Sequence, residues 1–292
     1  MTIRKAVIAA AGLGTRMYPI TKTIDKAMLP LGNRPAIDYV IRECARAGVE
    51  QIGIVVRKGS AQIQHYYGCD MDLRALLAVR GWDEKAAALD ETATVPDLVF
   101  LEQSLESDYG TAVPVRLARE FVGEDRFFFV SSDDLLADEP GVSTLADLAA
   151  LAGDGYGLVG QPMAPANSSR YGVLDTRTVD GALVLRGITE KSPDVPDETE
   201  LPLINISRYV FGPDFYEVLS SISADPASGE LRLTDALDAV LRSDSPAFRV
   251  HPSRGRYFDL GRVEGLVAAV NHFAGAERDF EDSRGSALAP TR

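Results

Sequence analysis

Short, almost unbroken apolar runs recur through the first half of the chain: Lys5-Ala6-Val7-Ile8-Ala9, Ile52-Gly53-Ile54-Val55-Val56, Leu98-Val99-Phe100-Leu101 and Phe127-Phe128-Phe129-Val130. Strands this apolar have no face to offer water, so both sides must be covered by other elements. The segments between them supply that cover. Pro35 sits where a helix can begin, Ile37, Val40, Ile41 and Cys44 recur at helical spacing, and Gly48 ends the pattern. Residues 60–92 read as helical through Leu73, Leu76, Leu77 and Leu89, and a further helix is expected from about Thr111 to Phe121. Alternating strand and helix implies an α/β fold, a Rossmann-like doubly wound sheet with mostly parallel strands. Past residue 155 the pattern changes. Asp180-Gly181 between Val173–Thr178 and Leu183–Ile188 predicts an inserted antiparallel hairpin. Thr234 is expected to cap a later helix and Val263–Phe273 to form another, while 277–292 is polar, patternless and expected to be disordered. At 292 residues the chain suits one enlarged domain over 1–276.

The first strand leads into AAGLGTRMYPITKTIDKAMLP, residues Ala10 to Pro30. Gly12 and Gly14 leave main-chain N–H groups open to phosphate oxygens. Arg16 offers a planar fork of donors and Lys26 a mobile point charge to the same kind of oxygen. Three other readings compete. A dinucleotide-binding turn needs a third small residue where Met17 stands, and the next strand continues into Arg57-Lys58, which only an NADP-dependent oxidoreductase could use. A Walker loop is absent. A glycine turn without a ligand would suffice for G-x-G alone, but G-x-G-T-R with a lysine ten residues beyond the arginine is far more specific.

Composition narrows the class. The sequence holds 30 Lys plus Arg and 43 Asp plus Glu, a net charge of −13, which disfavours nucleic acid or an anionic membrane as a partner. Any polyphosphate site must then be a local basic island or carry a cation. Cys44 and Cys69 form no disulfide framework and are expected to be buried thiols in a reducing, cytoplasmic setting. Lys5 with the apolar run behind it is too short for a signal peptide, and no stretch is long enough to span a bilayer.

Ligands of open α/β sheets gather at the carboxyl ends of strands. Phe127–Val130 runs into Ser131-Ser132-Asp133-Asp134, and Tyr257-Phe258 into Asp259-Leu260-Gly261. Each aspartate alone would pass for a turn or cap residue, yet a carboxylate beside a phosphate loop is also placed to hold Mg²⁺. Gln103 carries both a donor and an acceptor just past the third strand, and Gly110 leaves a helix start free of a side chain. In Thr189-Glu190-Lys191 the glutamate can accept from hydroxyls and the lysine can meet phosphate, although a solvated pair is the plainer reading of the dipeptide alone.

Taken together these residues resemble the sugar-nucleotide pyrophosphorylases (nucleotidylyltransferases), whose signature is G-x-G-T-R followed by a lysine and Leu-Pro. Ala-Ala-Gly ahead of the loop, Thr21-Lys22 and Met28-Leu29-Pro30 are most similar to the bacterial uridylyl branch. The resemblance implies a nucleotide-diphospho-sugar transferase-like fold, with a nucleotide-binding part over about 1–135 and a sugar-phosphate part over about 155–262. It implies transfer from a nucleoside triphosphate, UTP first, to a sugar 1-phosphate, glucose 1-phosphate first, releasing pyrophosphate. By motif it assigns catalysis to Arg16 and Lys26, and the nucleotide to Ala11, Gly12, Leu13, Gly14, Thr15, Gln103 and Gly110. It assigns the sugar phosphate to Gly172, Glu190 and Lys191, and Mg²⁺ to Asp133 and Asp259, with Asp134 as the alternative to Asp133. It also implies a homo-oligomer, dimer or tetramer. Four departures stand out, three of them bordering the phosphates or the sugar: Ala27 follows Lys26 where the branch usually carries Glu, Ser132 precedes the metal aspartate, Ser192 follows Lys191, and Ile206-Ser207 replaces Val-Gly near the sugar. A paralogue using dTTP, ATP, GTP or another hexose or cyclitol phosphate, and a silent nucleotide sensor, are the alternatives.

Overall fold

The computed structural model describes residues 2–90, 95–104, 106, 109–190, 201–243 and 248–274, so the expectation for 277–292 lies outside them. In chain order the first elements are β1 (Lys5–Ala9), α1 (Ala36–Arg46) and β2 (Gln51–Arg57). Next come α2 (Gln62–Tyr67), α3 (Met71–Val79), α4 (Asp83–Asp90) and β3 (Asp97–Gln103). The helical pattern of 60–92 is thus three short helices, restarted at Asp70, whose carboxylate accepts from the Leu73 N–H at 2.8 Å. After α5 (Val113–Leu117) and α6 (Arg119–Val122) the chain forms β4 (Phe127–Ser131) and β5 (Asp134–Ala137). The second half adds α7 (Thr144–Ala152), β6 (Tyr156–Pro162), β7 (Gly172–Val179), β8 (Ala182–Glu190) and β9 (Leu203–Phe211). It closes with α8 (Phe215–Ser221), α9 (Leu233–Leu241), β10 (Phe248–Pro252), β11 (Arg256–Asp259) and α10 (263–274).

Nine strands form one sheet in the order β3-β2-β1-β4-β9-β6-β10-β8-β7, and β11 pairs with β5 in a separate ribbon. The first four positions in that order are parallel, as the apolar runs imply. The antiparallel share exceeds the expected hairpin, because β9 returns between β4 and β6 and runs against both. Alternation along each strand divides the core. Ala6 and Ile8 of β1 with Phe128 and Val130 of β4 face the α1 side, while Val7, Phe127 and Phe129 face the α5, α8 and α9 side. Each fully buried aromatic or aliphatic side chain contributes about 1.5–3 kcal/mol. The β7–β8 hairpin turns at Asp180-Gly181, both at positive φ (50° and 79°), the turn that matches strand twist.

Two local expectations are corrected. The helix cap falls on Arg232, with Thr234 inside α9, and the Leu233 N–H is met instead by Thr111 Oγ1 at 2.9 Å from across the fold. Cys44 is buried as expected, but Cys69 is exposed.

The joint between β9 and α1 is ionic. Arg208 is fully buried and grips Glu43 with both ends of its guanidinium, Nε to Oε1 and Nη2 to Oε2, each at 2.8 Å. Its third nitrogen, Nη1, donates to the carbonyl of Ile206 at 3.0 Å. That bond braces an irregularity: the ladder to β6 slips between Asn205, opposite Gly160, and Tyr209, opposite Leu158. Inside the slip Ser207 takes φ 53°, a left-handed conformation that costs a non-glycine residue about 1–2 kcal/mol. Arg208→Met should strand a buried Glu43 carboxylate and cost about 3–5 kcal/mol in urea unfolding, and adding Glu43→Leu should restore most of that loss. A single-variant loss below about 1 kcal/mol would show that the pair is not what joins strand to helix.

Candidate active site

A cleft of about 980 Å³ opens over the carboxyl ends of β1, β3 and β4, at the upper end of small-molecule site sizes. Ala11, Gly12, Leu13, Arg16, Lys26, Gln103, Gly110, Asp133, Gly172 and Asp259 all line it. Gly14 and Thr15 do not. Gly14 is the hinge of the loop, at φ 61°, packed on Thr21, whose hydroxyl donates to its carbonyl at 2.8 Å. At Gly12 a side chain would meet no protein atom within 4 Å, so its missing Cβ leaves open cleft beside the main chain. Gly110 is different: a Cβ there would lie 2.2 Å from the Leu231 carbonyl oxygen, so close packing against that backbone dictates the glycine. Glu190 ends β8 directly opposite Gly172, which puts it at the level of the cleft, while Lys191 lies outside the described residues.

Asp133 follows β4 and is tied to β1 through Ser132, whose N–H donates to the Ala9 carbonyl at 3.1 Å. Lys26 Nζ pairs with Asp133 Oδ2, and Ser131 donates to the other oxygen. Burial opposes the charge of Asp133, but the ammonium and these hydrogen bonds outweigh it and hold the carboxyl below its ordinary range. Asp259 is delivered by the ribbon, where β11 pairs with β5 and sets Asp259 opposite Asp134. Its Oδ1 accepts from the Gly261 N–H at 2.8 Å and its Oδ2 from Tyr171 at 3.1 Å. A Cβ placed on Gly261 would sit 2.8 Å from Asp259 Oδ1, 3.7 Å from Asp133 Oδ2 and 3.8 Å from Arg16 Nη1, so these groups converge on one small region.

Asp134 lies beside them but is differently engaged. Tyr257 donates to its Oδ1 at 2.5 Å. Burial, and then the Asp133 charge, push its pKa up to about 6. The nearby tyrosines stay protonated donors: burial and Asp259 raise Tyr171 to about 12, and burial and Asp134 hold Tyr257 well above its usual value.

Lys26 is held by a network that strand-by-strand reading misses. Asp25 accepts from Arg57 Nη2 at 2.8 Å and from the Ser60 hydroxyl, while its own N–H donates to Gln62 Oε1 at 3.1 Å. Gln62 also donates to the Thr23 carbonyl at 2.9 Å, so the backbone is anchored on the approach to Lys26. Arg57, the residue an NADP reading would need, is therefore committed to Asp25. Ser207, set near the sugar by the resemblance, lines the cleft, and Tyr257 and Asn205 also reach it from elements distant in sequence. The signals that could have found them were the apolar-polar step before Asp259 and a polar Asn-x-Ser set in an apolar strand.

Comparison with known proteins accords with this geometry. The family model described as nucleotidyl transferase matches residues 5–275. UTP–glucose-1-phosphate uridylyltransferase of Bacillus subtilis is 30% identical over 287 residues, covering 96% of this chain and 94% of that protein. A UTP-bound UGPase from Acinetobacter baumannii superposes with a TM-score of 0.80 at 28% identity, over 93% of both chains. A UDP-glucose pyrophosphorylase complexed with UDP-glucose gives a TM-score of 0.78 at 26% identity, over 94% of this chain and 99% of the other. The chain belongs to the nucleotidyl transferase family.

Proposed function

We propose that this chain joins UTP to a sugar 1-phosphate, glucose 1-phosphate foremost, and releases pyrophosphate. The observation that carries the reading is the convergence of Arg16, Asp133 and Asp259 beside a glycine loop, with Lys26 on the same carboxylate. The covalent change is simple. A phosphate oxygen of the sugar 1-phosphate attacks the α-phosphorus in line, an O–P bond forms, and the bond from the α-phosphorus to the β-phosphate oxygen breaks. No protein nucleophile is required, and catalysis is positioning with charge neutralisation.

Arg16 and the amides around Gly12 are suited to the leaving phosphates. Gln103 is suited to the uracil edge, and Gly172, Glu190 and Lys191 to the sugar phosphate. Asp133 and Asp259 fit a divalent cation, Mg²⁺ by preference: hard oxygens converge, and a lysine ammonium already stands as the cation on one of them. Two carboxylates suit Mg²⁺, since it takes one or two of them and completes its shell with phosphates and water. When bound, such a cation would offset the charge of the phosphates as they approach one another. Lys26 then turns from Asp133 to the reacting phosphates, and the Arg57–Asp25 anchor keeps its backbone in place as it does so. Assembly as a dimer or tetramer belongs to the same proposal, and light scattering on the purified protein reads it.

The deciding experiment is pyrophosphate release with UTP, dTTP, CTP, ATP and GTP crossed with a panel of sugar 1-phosphates. UTP with glucose 1-phosphate should lead, and no release from any pair would overturn the reading. Lys26→Ala should lower kcat by ~10²–10³, the effect of removing one preorganised donor, with an unchanged circular dichroism spectrum. Arg57→Ala should lower kcat by about tenfold with little change in either KM, because it loosens Lys26 rather than a binding contact. Chelation should abolish turnover in the wild type, Mg²⁺ should restore it, and Asp259→Asn should need far more Mg²⁺ for half-maximal rate.

A further inference from the structure

Among the described residues only Asp180 and Ser207 hold positive φ without being glycine. Asp180 belongs to a hairpin turn that favours it. Ser207 lies within β9, where glycine would take the same φ of 53° without strain. The bulge that carries it is braced on both sides. Asn205 Oδ1 accepts the Ser207 N–H at 3.1 Å, Asn205 Nδ2 lies 2.6 Å from the Tyr209 hydroxyl, and the Arg208 guanidinium holds the Ile206 carbonyl from within the core. The side chain so presented lines the cleft, and among the described residues its hydroxyl has no hydrogen-bond partner. A strained, braced residue that lines the cleft with an unbonded hydroxyl points to a contact made to a ligand.

The sheet says which ligand. Gln103 and the glycine loop end β3 and β1, and Asp133 follows β4. Ser207 lies one strand further out, on β9, roughly 19 Å from β3 at ordinary strand spacing. Its strand also meets β7 through Ile204 opposite Val173, next to Gly172. We propose that Ser207 is a specificity-determining residue whose hydroxyl hydrogen-bonds a ring hydroxyl of the sugar 1-phosphate. This rests on the two-substrate reading of the cleft and adds the group that discriminates among sugars.

The test uses Ser207→Gly and Ser207→Ala in the full chain. Glycine relieves the backbone, so Ser207→Gly should melt about 2–3 °C higher than wild type, whereas Ser207→Ala keeps the strain and should not. Both should lose about five- to tenfold in kcat/KM for the sugar 1-phosphate, with KM for UTP unchanged. Against 2-, 3-, 4- and 6-deoxy sugar 1-phosphates, the wild type should lose a similar factor on one analogue, and the variants should lose nothing further on that one. Variants within twofold of wild type across the series, or a change confined to UTP, would overturn the assignment. A wild type that releases no pyrophosphate with any sugar would overturn the two-substrate reading, and the role of Ser207 with it.

Discussion

The parallel register of β1 with its two neighbours is the constraint on which the site depends. Ala9, the last residue of β1, stands level with Val55 of β2 and with Ser131 of β4. Two chain segments therefore leave the sheet at one height, the glycine loop and the turn that carries Asp133, while β2 runs on to Arg57, level with Gln103 of β3. A one-residue slip would swap the faces of a whole strand, moving residues fitted to one core into the other and Asp133 away from the loop. The slip is blocked by burial on both faces, because every residue of β4 from Phe127 to Val130 is committed to one of the two cores.

That register also answers an electrostatic problem. A chain of net charge −13 must gather anions in a cleft that itself contains Asp133, Asp134 and Asp259. The three carboxylates are treated differently. Asp133 is matched by Lys26, Asp259 by hydrogen bonds from Tyr171 and the Gly261 N–H, and Asp134 by Tyr257 together with a raised pKa. The distinction follows from geometry: oxygens of Asp133 and Asp259 converge with Arg16 beside Gly261, while Asp134 is held by Tyr257. That favours Asp133 over Asp134 as the partner of Asp259.

What the sequence disclosed was whatever is local. Apolar runs, the hairpin turn and the glycine loop are short patterns whose physics is complete within a few residues, and they were legible. The Arg57–Asp25 anchor joins residues of different elements, and nothing in Arg57-Lys58 or Ile24-Asp25-Lys26 announces it. The capping of α9 fails for the same reason: Thr234 looks like the cap, but Thr111 reaches the Leu233 N–H across the fold. Gly110 lines the cleft, and the backbone of Leu231, far off in sequence, is a second reason for glycine there that the sequence does not show. The stretch 60–92 is helical as expected, but breaks at Gly68 and Gly81 divide it into three helices, which the apolar spacing does not show.

The buried ion pair ties the two halves of the cleft into one object. Replacing Arg208 and Glu43 by apolar residues could leave stability little changed, so stability alone does not explain a pair this deep. Its third hydrogen bond, to the Ile206 carbonyl, gives the reason: the guanidinium fixes the bulge of β9 from beneath while Asn205 fixes it from the cleft side. Through Glu43 the same guanidinium is anchored to α1, the helix that packs on the turn carrying Lys26. The wall that holds Ser207 and the segment that holds Lys26 are thus referred to one helix. A rigid distance between the two sides of a cleft is what an in-line reaction between two bound substrates requires. Arg208, buried beneath the cleft, thus couples the bulge of β9 to α1 and through it to the turn of Lys26, the two walls that the proposed two-substrate reaction would need held together.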